Sequence, residues 1–206
     1  YPERFIYQKM SKKLKFRIWF KRLFINLGLP FIDKLIVQTD VIKERMISQL
    51  SLDEKCEICV LPVGRPSFVE NDKFDINKIA KSKFKMLCLT NYYPHKNLEI
   101  LLDVAEVLKE NRKDTLFILT LDETHENTMT IINEIEVRGL QNYIQNIGTI
   151  DYEDLYGLYS FVNASILPTL IESYSNTYIE SILFNKPILT SDFDFSRNLC
   201  GEAAIY

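Results

Sequence analysis

From residue 85 onward the chain repeats one pattern: a short unbroken apolar run, a polar turn, then a helix-length segment with apolar residues at i, i+3 and i+4. The runs at 85–90 (KMLCLT), 115–120 (TLFILT), 143–148 (YIQNIG), 164–167 (ASIL) and 187–190 (PILT) predict strands. Helices are predicted at 98–109, with Leu98, Leu101, Leu102, Ala105 and Leu108 as the inner stripe, at 126–138 and at 153–159. A further helix begins near Ser175 or Asn176, and there Tyr178, Ile179, Ile182 and Leu183 mark the predicted buried side. Unbroken apolar strands alternating with helices predict an α/β fold, a Rossmann-like parallel sheet with helices on both faces. Ligands of such sheets lie beyond the carboxyl ends of the strands, so the turns at 91–97, 148–151 and 169–176 are where chemistry is expected.

The first third is patterned differently. Residues 5–27 predict a helix in which Phe16, Trp19, Phe20, Leu23 and Leu27 line one side and Lys15, Arg17, Lys21 and Arg22 another. Either this face packs against the rest of its domain, or the helix lies on an anionic membrane. Leu35, Ile36 and Val37 then read as a strand, Asp40 as the cap of a helix at 41–50, and 57–61 as another strand. PVGRPSFVENDKFD, rich in Pro, Gly and charge, reads as a linker. The expected organisation is residues 1–63 as the end of one α/β domain, 64–81 as linker and 82–206 as a second domain.

Charge sharpens the split. The net charge is −3, but residues 1–50 carry eleven Lys or Arg against four acids, leaving the remainder about −10. So acidic a second part argues against a general nucleic-acid binder. Four cysteines include the pair Cys56 and Cys59, which sits in a strand-like run without a second pair or a nearby His, so neither zinc nor thioredoxin-type chemistry fits, and reduced thiols are expected. No apolar run reaches the length that spans a bilayer. Tyr1 is not an initiator Met, and Ile205–Tyr206 reads as the interior of a strand, so neither end is expected to be a natural terminus.

The candidate chemistry concentrates in NASILPTLIESYSNTYIESILFNKPILTS (163–191). Glu172 lies in its turn and Glu180 about one turn into the helix, on the side away from the apolar stripe, so that both acids can face the crevice above the strand ends. Between them Ser173, Tyr174, Ser175, Asn176 and Thr177 open a helix, where unpaired N–H groups and the dipole favour a phosphate. A carboxylate accepts hydrogen bonds from vicinal diols, which suits a sugar and a ribose. The two acids also read simply as a loop acid and a solvated helix acid. Lys96, in the turn before the helix at 98–109, is either a point charge for a departing diphosphate or a solvated lysine. His95 either bonds a ligand or closes the turn. A hydrolytic acid/base pair is less well supported, because nothing else in the sequence is arranged to activate water.

IESYSNTYIES, with seven residues between Glu172 and Glu180, preceded by ILP and followed by KPILTS, resembles the E-x7-E signature of the retaining nucleotide-sugar glycosyltransferases of family four, proteins of two facing Rossmann-like domains (GT-B). YYPHKN resembles the family's phosphate-contacting turn, YIQNIGTIDYEDLYGLYS its stretch of glycine, helix and tyrosine, and NLCGEAAIY the segment leading to its closing helices. IDKLIVQTDVIKERM with ICVLPVG is similar to the end of the acceptor domain and the interdomain strand, so the resemblance covers most of residues 31–206.

The resemblance implies Lys96 and Glu172 as catalytic residues, Lys96 neutralising the diphosphate and Glu172 contacting the donor sugar. It places Glu180 on the ribose, Ser173, Tyr174, Ser175 and Asn176 against sugar and phosphate, Asn91 and His95 in the phosphate turn, and Gly148, Thr149 and Ile150 near the base. It implies no cofactor and no metal, a nucleotide-diphosphate sugar as donor, a saccharide or lipid-linked acceptor, and a cytoplasmic protein; the membrane reading of the basic helix 12–27 would add contact with the inner face of the cell membrane. The sequence departs from the pattern at Asn91, where the family has an arginine, and at Ser173 and Ser175, where it has glycines. The chain by itself is expected to bind donor without turning it over. The rival readings are a catalytically silent Rossmann-like binding module and another GT-B enzyme of sugar nucleotides, such as an epimerase or a phosphorylase, although the pyridoxal-phosphate lysine a phosphorylase needs has no visible context.

Overall fold

The computed structural model describes residues 12–50, 56–68, 70, 74–81 and 84–206. They divide into two compact units, 1–64 with 171–174 and 65–170 with 175–206. The sequence-predicted helix residues 5–11 and part of the linker lie outside the described residues.

In the first unit helix α1 (Lys12–Gly28) is followed by a 3₁₀ turn at Leu29–Phe31, strand β1 (Lys34–Val37), helix α2 (Asp40–Gln49) and strand β2 (Glu57–Val60). The strands pair in parallel from Lys34 opposite Glu57 to Val37 opposite Val60. Lys34 Nζ bridges Glu57 at 2.9 Å on the exposed face. Thr39, not Asp40, caps α2: its Oγ1 accepts from the Ile42 N–H at 3.3 Å, and Asp40 is the first helical residue, where its charge favours the positive dipole end. No residue of α1 is buried. Its aromatic rings are exposed and meet one another, Phe16 stacking on Trp19 at 5.9 Å and Phe20 meeting Phe24 edge-on at 4.7 Å. All four cysteines are free, and the Cys59 thiol donates to Glu57 Oε1 at 3.2 Å.

The second unit is built on β3 (Phe84–Cys88), β4 (Thr115–Leu119), β5 (Ile144–Asn146), β6 (Ala164–Leu167), β7 (Ile188–Thr190) and β8 (Ala204–Ile205). Their order is β5-β4-β3-β6-β7-β8 and every pair is parallel. The chain thus winds outward from β3 to β5, returns to lay β6 against β3, and winds outward the other way. The connecting helices are α3 (Glu99–Glu110), α4 (Glu126–Val137), α5 (Leu155–Phe161), α6 (Asn176–Leu183) and α7 (Asp194–Cys200). Several strand predictions ran long: 143–148 is strand only at Ile144–Asn146, 85–90 ends at Cys88, 115–120 at Leu119, and 187–190 begins at Ile188. The segment predicted helical from 153 opens as a 3₁₀ turn at Tyr152–Asp154.

Alternate strand residues feed opposite faces, as the pleat requires. Met86, Cys88, Phe117 and Leu119 join Leu98, Leu101, Leu102 and Ala105 of the α3 stripe and Ile131 and Ile135 of α4 on one side. Leu87, Leu116 and Ile118 join Leu155, Leu158 and Tyr159 on the other. Tyr178 of α6 packs with Leu167, Ile188 and Cys200. The predicted stripe of α6 needs correction: Tyr178, Glu180 and Ser181 are buried, while Ile179, Ile182 and Leu183 are half-buried. Ser181 Oγ sits 2.7 Å from Ser165 Oγ of β6, so a serine meets the sheet beside Tyr178, and Ile182 packs on the same cluster from its half-buried position.

Leu87→Ala, at a fully buried site on the central strand, is expected to cost about 2–5 kcal/mol in urea unfolding, whereas Val137→Ala, 82% exposed, should stay within about 0.5 kcal/mol of the parent.

Candidate functional site

The site lies where β3 and β6 run side by side and the chain leaves them toward opposite edges. At such a reversal the following turns diverge and open a crevice. Side chains extend the sheet into it: the Thr90 N–H donates to Thr120 Oγ1 at 3.2 Å, and Asn146 pairs with both backbone groups of Leu121, accepting at 2.8 Å and donating at 3.0 Å. These bonds replace the ladder beyond the strand ends, where unpaired backbone groups are costly.

A cavity of about 320 Å³ opens there, lined by Leu89, Thr90, Asn91, Thr120, Thr149 and Ile150. Asn91 and Thr149 were picked out from the sequence, and the structure brings them together. Thr90 and Thr120 were not; their signal was available, because each ends an apolar strand immediately before a turn. Gly148 holds φ +78°, a left-handed conformation that glycine adopts without cost, and so turns the chain toward the cavity after β5.

The turn after β3 is fastened to the turn after β6. Pro94–Lys96 forms a 3₁₀ turn, Asn97 follows with φ 55°, and the Asn97 side-chain amide donates to the Pro168 carbonyl at 3.3 Å. The His95 carbonyl accepts twice, from the Leu170 N–H at 2.7 Å and from Thr169 Oγ1 at 3.2 Å. The His95 ring stacks on Tyr93 at 5.5 Å. Lys96 is half-buried in a narrow cleft with Cys88, Thr90, Leu98, Leu167, Pro168 and Thr169, so it shares Thr90 with the larger cavity. Burial pushes the Cys88 thiol up to about 12, against the opposing charge of Lys96.

Helix α6 begins at the same end of the sheet, where Thr177 Oγ1 donates to the Leu89 carbonyl at 3.3 Å. Ser175 occupies the N-cap, buried, without a side-chain cap bond, and Asn176 is the exposed first residue. Glu180 departs from expectation. It was placed away from the buried side, yet it is 6% exposed and its Oε2 accepts from the Tyr159 hydroxyl of α5 at 3.0 Å. Burial raises its carboxyl above the usual range, and the Tyr159 hydroxyl partly opposes that rise. Glu172 and Tyr174 are half-buried and Ser173 exposed; all three lie in 171–174, which belongs to the first unit, where the Tyr174 hydroxyl donates to the Val63 carbonyl at 3.4 Å. Among the described residues no group of three or more His, Cys, Asp or Glu could hold a metal ion. No helix among them is long and apolar enough to cross a membrane.

A parallel sheet that reverses at its centre, with helices on both faces, defines a Rossmann-like α/β domain. The family model "Glycosyl transferases group 1" matches residues 69–204, and the chain belongs to that family. Comparison with curated proteins gives no match. Among solved structures the chain is similar to sucrose-phosphate synthase from Thermosynechococcus elongatus (17% identity, TM-score 0.66, 90% of this chain and 47% of that one). It is also similar to the pneumococcal O-GlcNAc transferase GtfA in complex with UDP and GlcNAc (19%, 0.60, 80% and 31%) and to Anabaena HepE in complex with UDP-glucose (17%, 0.59, 83% and 48%). The sheet and its helices match the C-terminal Rossmann-like half of a GT-B fold. The chain spans about a third to a half of the length of these structures.

A raised carboxyl means that the folded protein holds the Glu180 proton more tightly than the unfolded chain does. The ionised side chain therefore subtracts stability as pH rises through the raised value, and subtracts none below the ordinary carboxylate range. Glu180→Gln is expected to melt higher than the parent at pH 7.5, with the difference vanishing near about pH 4.

Proposed function

We propose that this protein transfers a sugar from a nucleotide-diphosphate donor to a saccharide or lipid-linked acceptor, with retention at the anomeric carbon. The observation that carries this reading is the fastening of the Lys96 turn to the turn entering the Glu172–Glu180 stretch, through the His95 carbonyl, in a chain of the group 1 family. Lys96 is assigned to the donor diphosphate, whose charge grows as the glycosidic C–O bond breaks, and a fixed ammonium stabilises that change more than the ground state. Glu172 is assigned to the hydroxyls of the donor sugar and Glu180 to the ribose. The turn at Ser173–Asn176 and the start of α6 take sugar and phosphate, with N–H groups and the helix dipole favouring the anion. Asn91 and His95 complete the phosphate turn, and Asn91 supplies an amide where the family pattern has a cation. Gly148 and Thr149 are assigned to the base side, consistent with Thr149 lining the cavity. The acceptor oxygen bonds the anomeric carbon on the face the diphosphate leaves, and the acceptor proton passes to the departing phosphate oxygen. UDP in the GtfA structure and UDP-glucose in the HepE structure favour a uridine nucleotide as the first donor to test.

In this reading the reaction needs no metal, and residues 1–63 contribute the end of the acceptor domain, 64–81 the linker and 82–206 the donor domain. The exposed aromatic face of α1, with Trp19 and Phe20 beside Lys21 and Arg22, supports contact with the anionic inner face of a cell membrane, in polysaccharide or glycolipid synthesis. A silent binding module is the second reading, favoured by Asn91 alone.

Lys96→Ala should weaken UDP-glucose binding about 10- to 100-fold by calorimetry, the usual range for losing a charge-assisted contact, with EDTA leaving the parent affinity unchanged. Equal affinities for parent, Lys96→Ala and Glu180→Ala would point to the silent module. In flotation the full chain should rise with phosphatidylglycerol-rich vesicles and not with phosphatidylcholine; equal recovery from both removes the membrane assignment.

A further inference from the structure

Glu180 is a carboxylate with almost no contact with water, and such a group persists only where something inside the protein compensates it. Its partner comes from a helix to which the sequence assigned no chemistry. Tyr159 of α5 is fully buried and its hydroxyl donates to Glu180 Oε2 at 3.0 Å. The hydroxyl has little freedom to move away. The Tyr159 ring stacks on Phe184 at 4.9 Å with only 4° between the planes, and Phe184 is held edge-on by Phe68 at 4.9 Å and by Tyr156 at 5.4 Å. Beside this contact Ser181 Oγ lies 2.7 Å from both Ser165 Oγ and the Thr177 carbonyl, which fixes the register of α6 over β6. Glu180 Oε1, by contrast, accepts no hydrogen bond from a described residue.

We infer that Tyr159 is a positioning residue for donor recognition, its hydroxyl fixing one carboxylate oxygen of Glu180 so that the group is presented in one orientation to the vicinal hydroxyls of the nucleotide ribose. This rests on the assignment of Glu180 to the ribose. A hydroxyl-reading site discriminates strongly against an analogue lacking the hydroxyl only when the reading group is held still, because a mobile carboxylate can turn to other partners. Among the described residues the groups acting on this pair are Tyr159 of α5 on Glu180, and Ser181 of α6 and Cys88 of β3 on Tyr159, with Ser165 of β6 behind Ser181. None of them carries a charge at neutral pH.

The test is the ratio of Kd values for 2′-deoxy-UDP and UDP, measured by calorimetry on the full chain as parent, Tyr159→Phe, Glu180→Gln and the double variant. The expected result is a parent ratio of about 10, falling to about 1–2 in all three variants, with Tyr159→Phe adding nothing once Glu180 is Gln. The parent ratio should also fall as pH drops through the Glu180 carboxyl, whereas in Tyr159→Phe, where it is already near about 1–2, it should stay flat with pH. A Tyr159→Phe protein that binds both nucleotides more weakly by one common factor, ratio unchanged, overturns the inference and leaves the ribose assignment standing. A parent ratio of 1, or a ratio unmoved by Glu180→Gln, overturns the ribose assignment itself. Should Tyr159→Phe fail to fold, Phe184→Leu, which keeps the hydroxyl but loosens the ring, must lower the ratio; an unchanged ratio there overturns the inference.

Discussion

The candidate site depends on the fastening of two turns, and one carbonyl oxygen takes two of the hydrogen bonds that make it. The His95 carbonyl sits at the end of a turn that follows β3, and it accepts both the Leu170 N–H and the Thr169 hydroxyl from the turn that follows β6. These turns are about seventy residues apart in the chain, and they meet because β6 returns to pair with β3 after two strands have been laid on the far edge. The adjacency is a property of the sheet's order, and the hydrogen bonds convert it into a fixed distance between the Lys96 turn and the approach to α6.

The other demand on the fold is electrostatic. Burying Glu180 costs stability in the ionised form, and the cost is met in part by a tyrosine hydroxyl that is itself buried and stacked on Phe184. An apolar residue at position 180 would bury no charge, although it would take the acceptor away from the buried Tyr159 hydroxyl. The carboxylate is therefore an expense that packing alone does not explain, and it falls at the same end of the sheet as the cavity lined by Asn91 and Thr149.

Much of the domain was legible because its strands are unbroken apolar runs and its helix α3 has a clean stripe, and both patterns survive burial from either side of a sheet. Helix α6 was misread for a physical reason. Its buried flank combines the expected Tyr178 with Ser181 over Ser165 and Glu180 against Tyr159, so two residues that count as polar in a periodicity also touch the core. Thr39 was passed over as a cap because Asp40 is equally good by type, and only the hydrogen bond to Ile42 separates them. Thr90 and Thr120 were read as the last residues of strands, whereas their hydroxyl and amide bonds build the rim of the cavity.

The linear sequence therefore determined the parallel α/β class, the positions of the turns at the carboxyl ends, and the presence of a lysine turn and a paired-acid stretch, since each depends on residue type and local spacing. Tertiary structure alone decided which turns touch, which acid is buried and which tyrosine holds it, because strand order and helix rotation are set by contacts between segments far apart in the chain. Periodicity reports which residues share a side of a helix; it carries no information on what that side will meet.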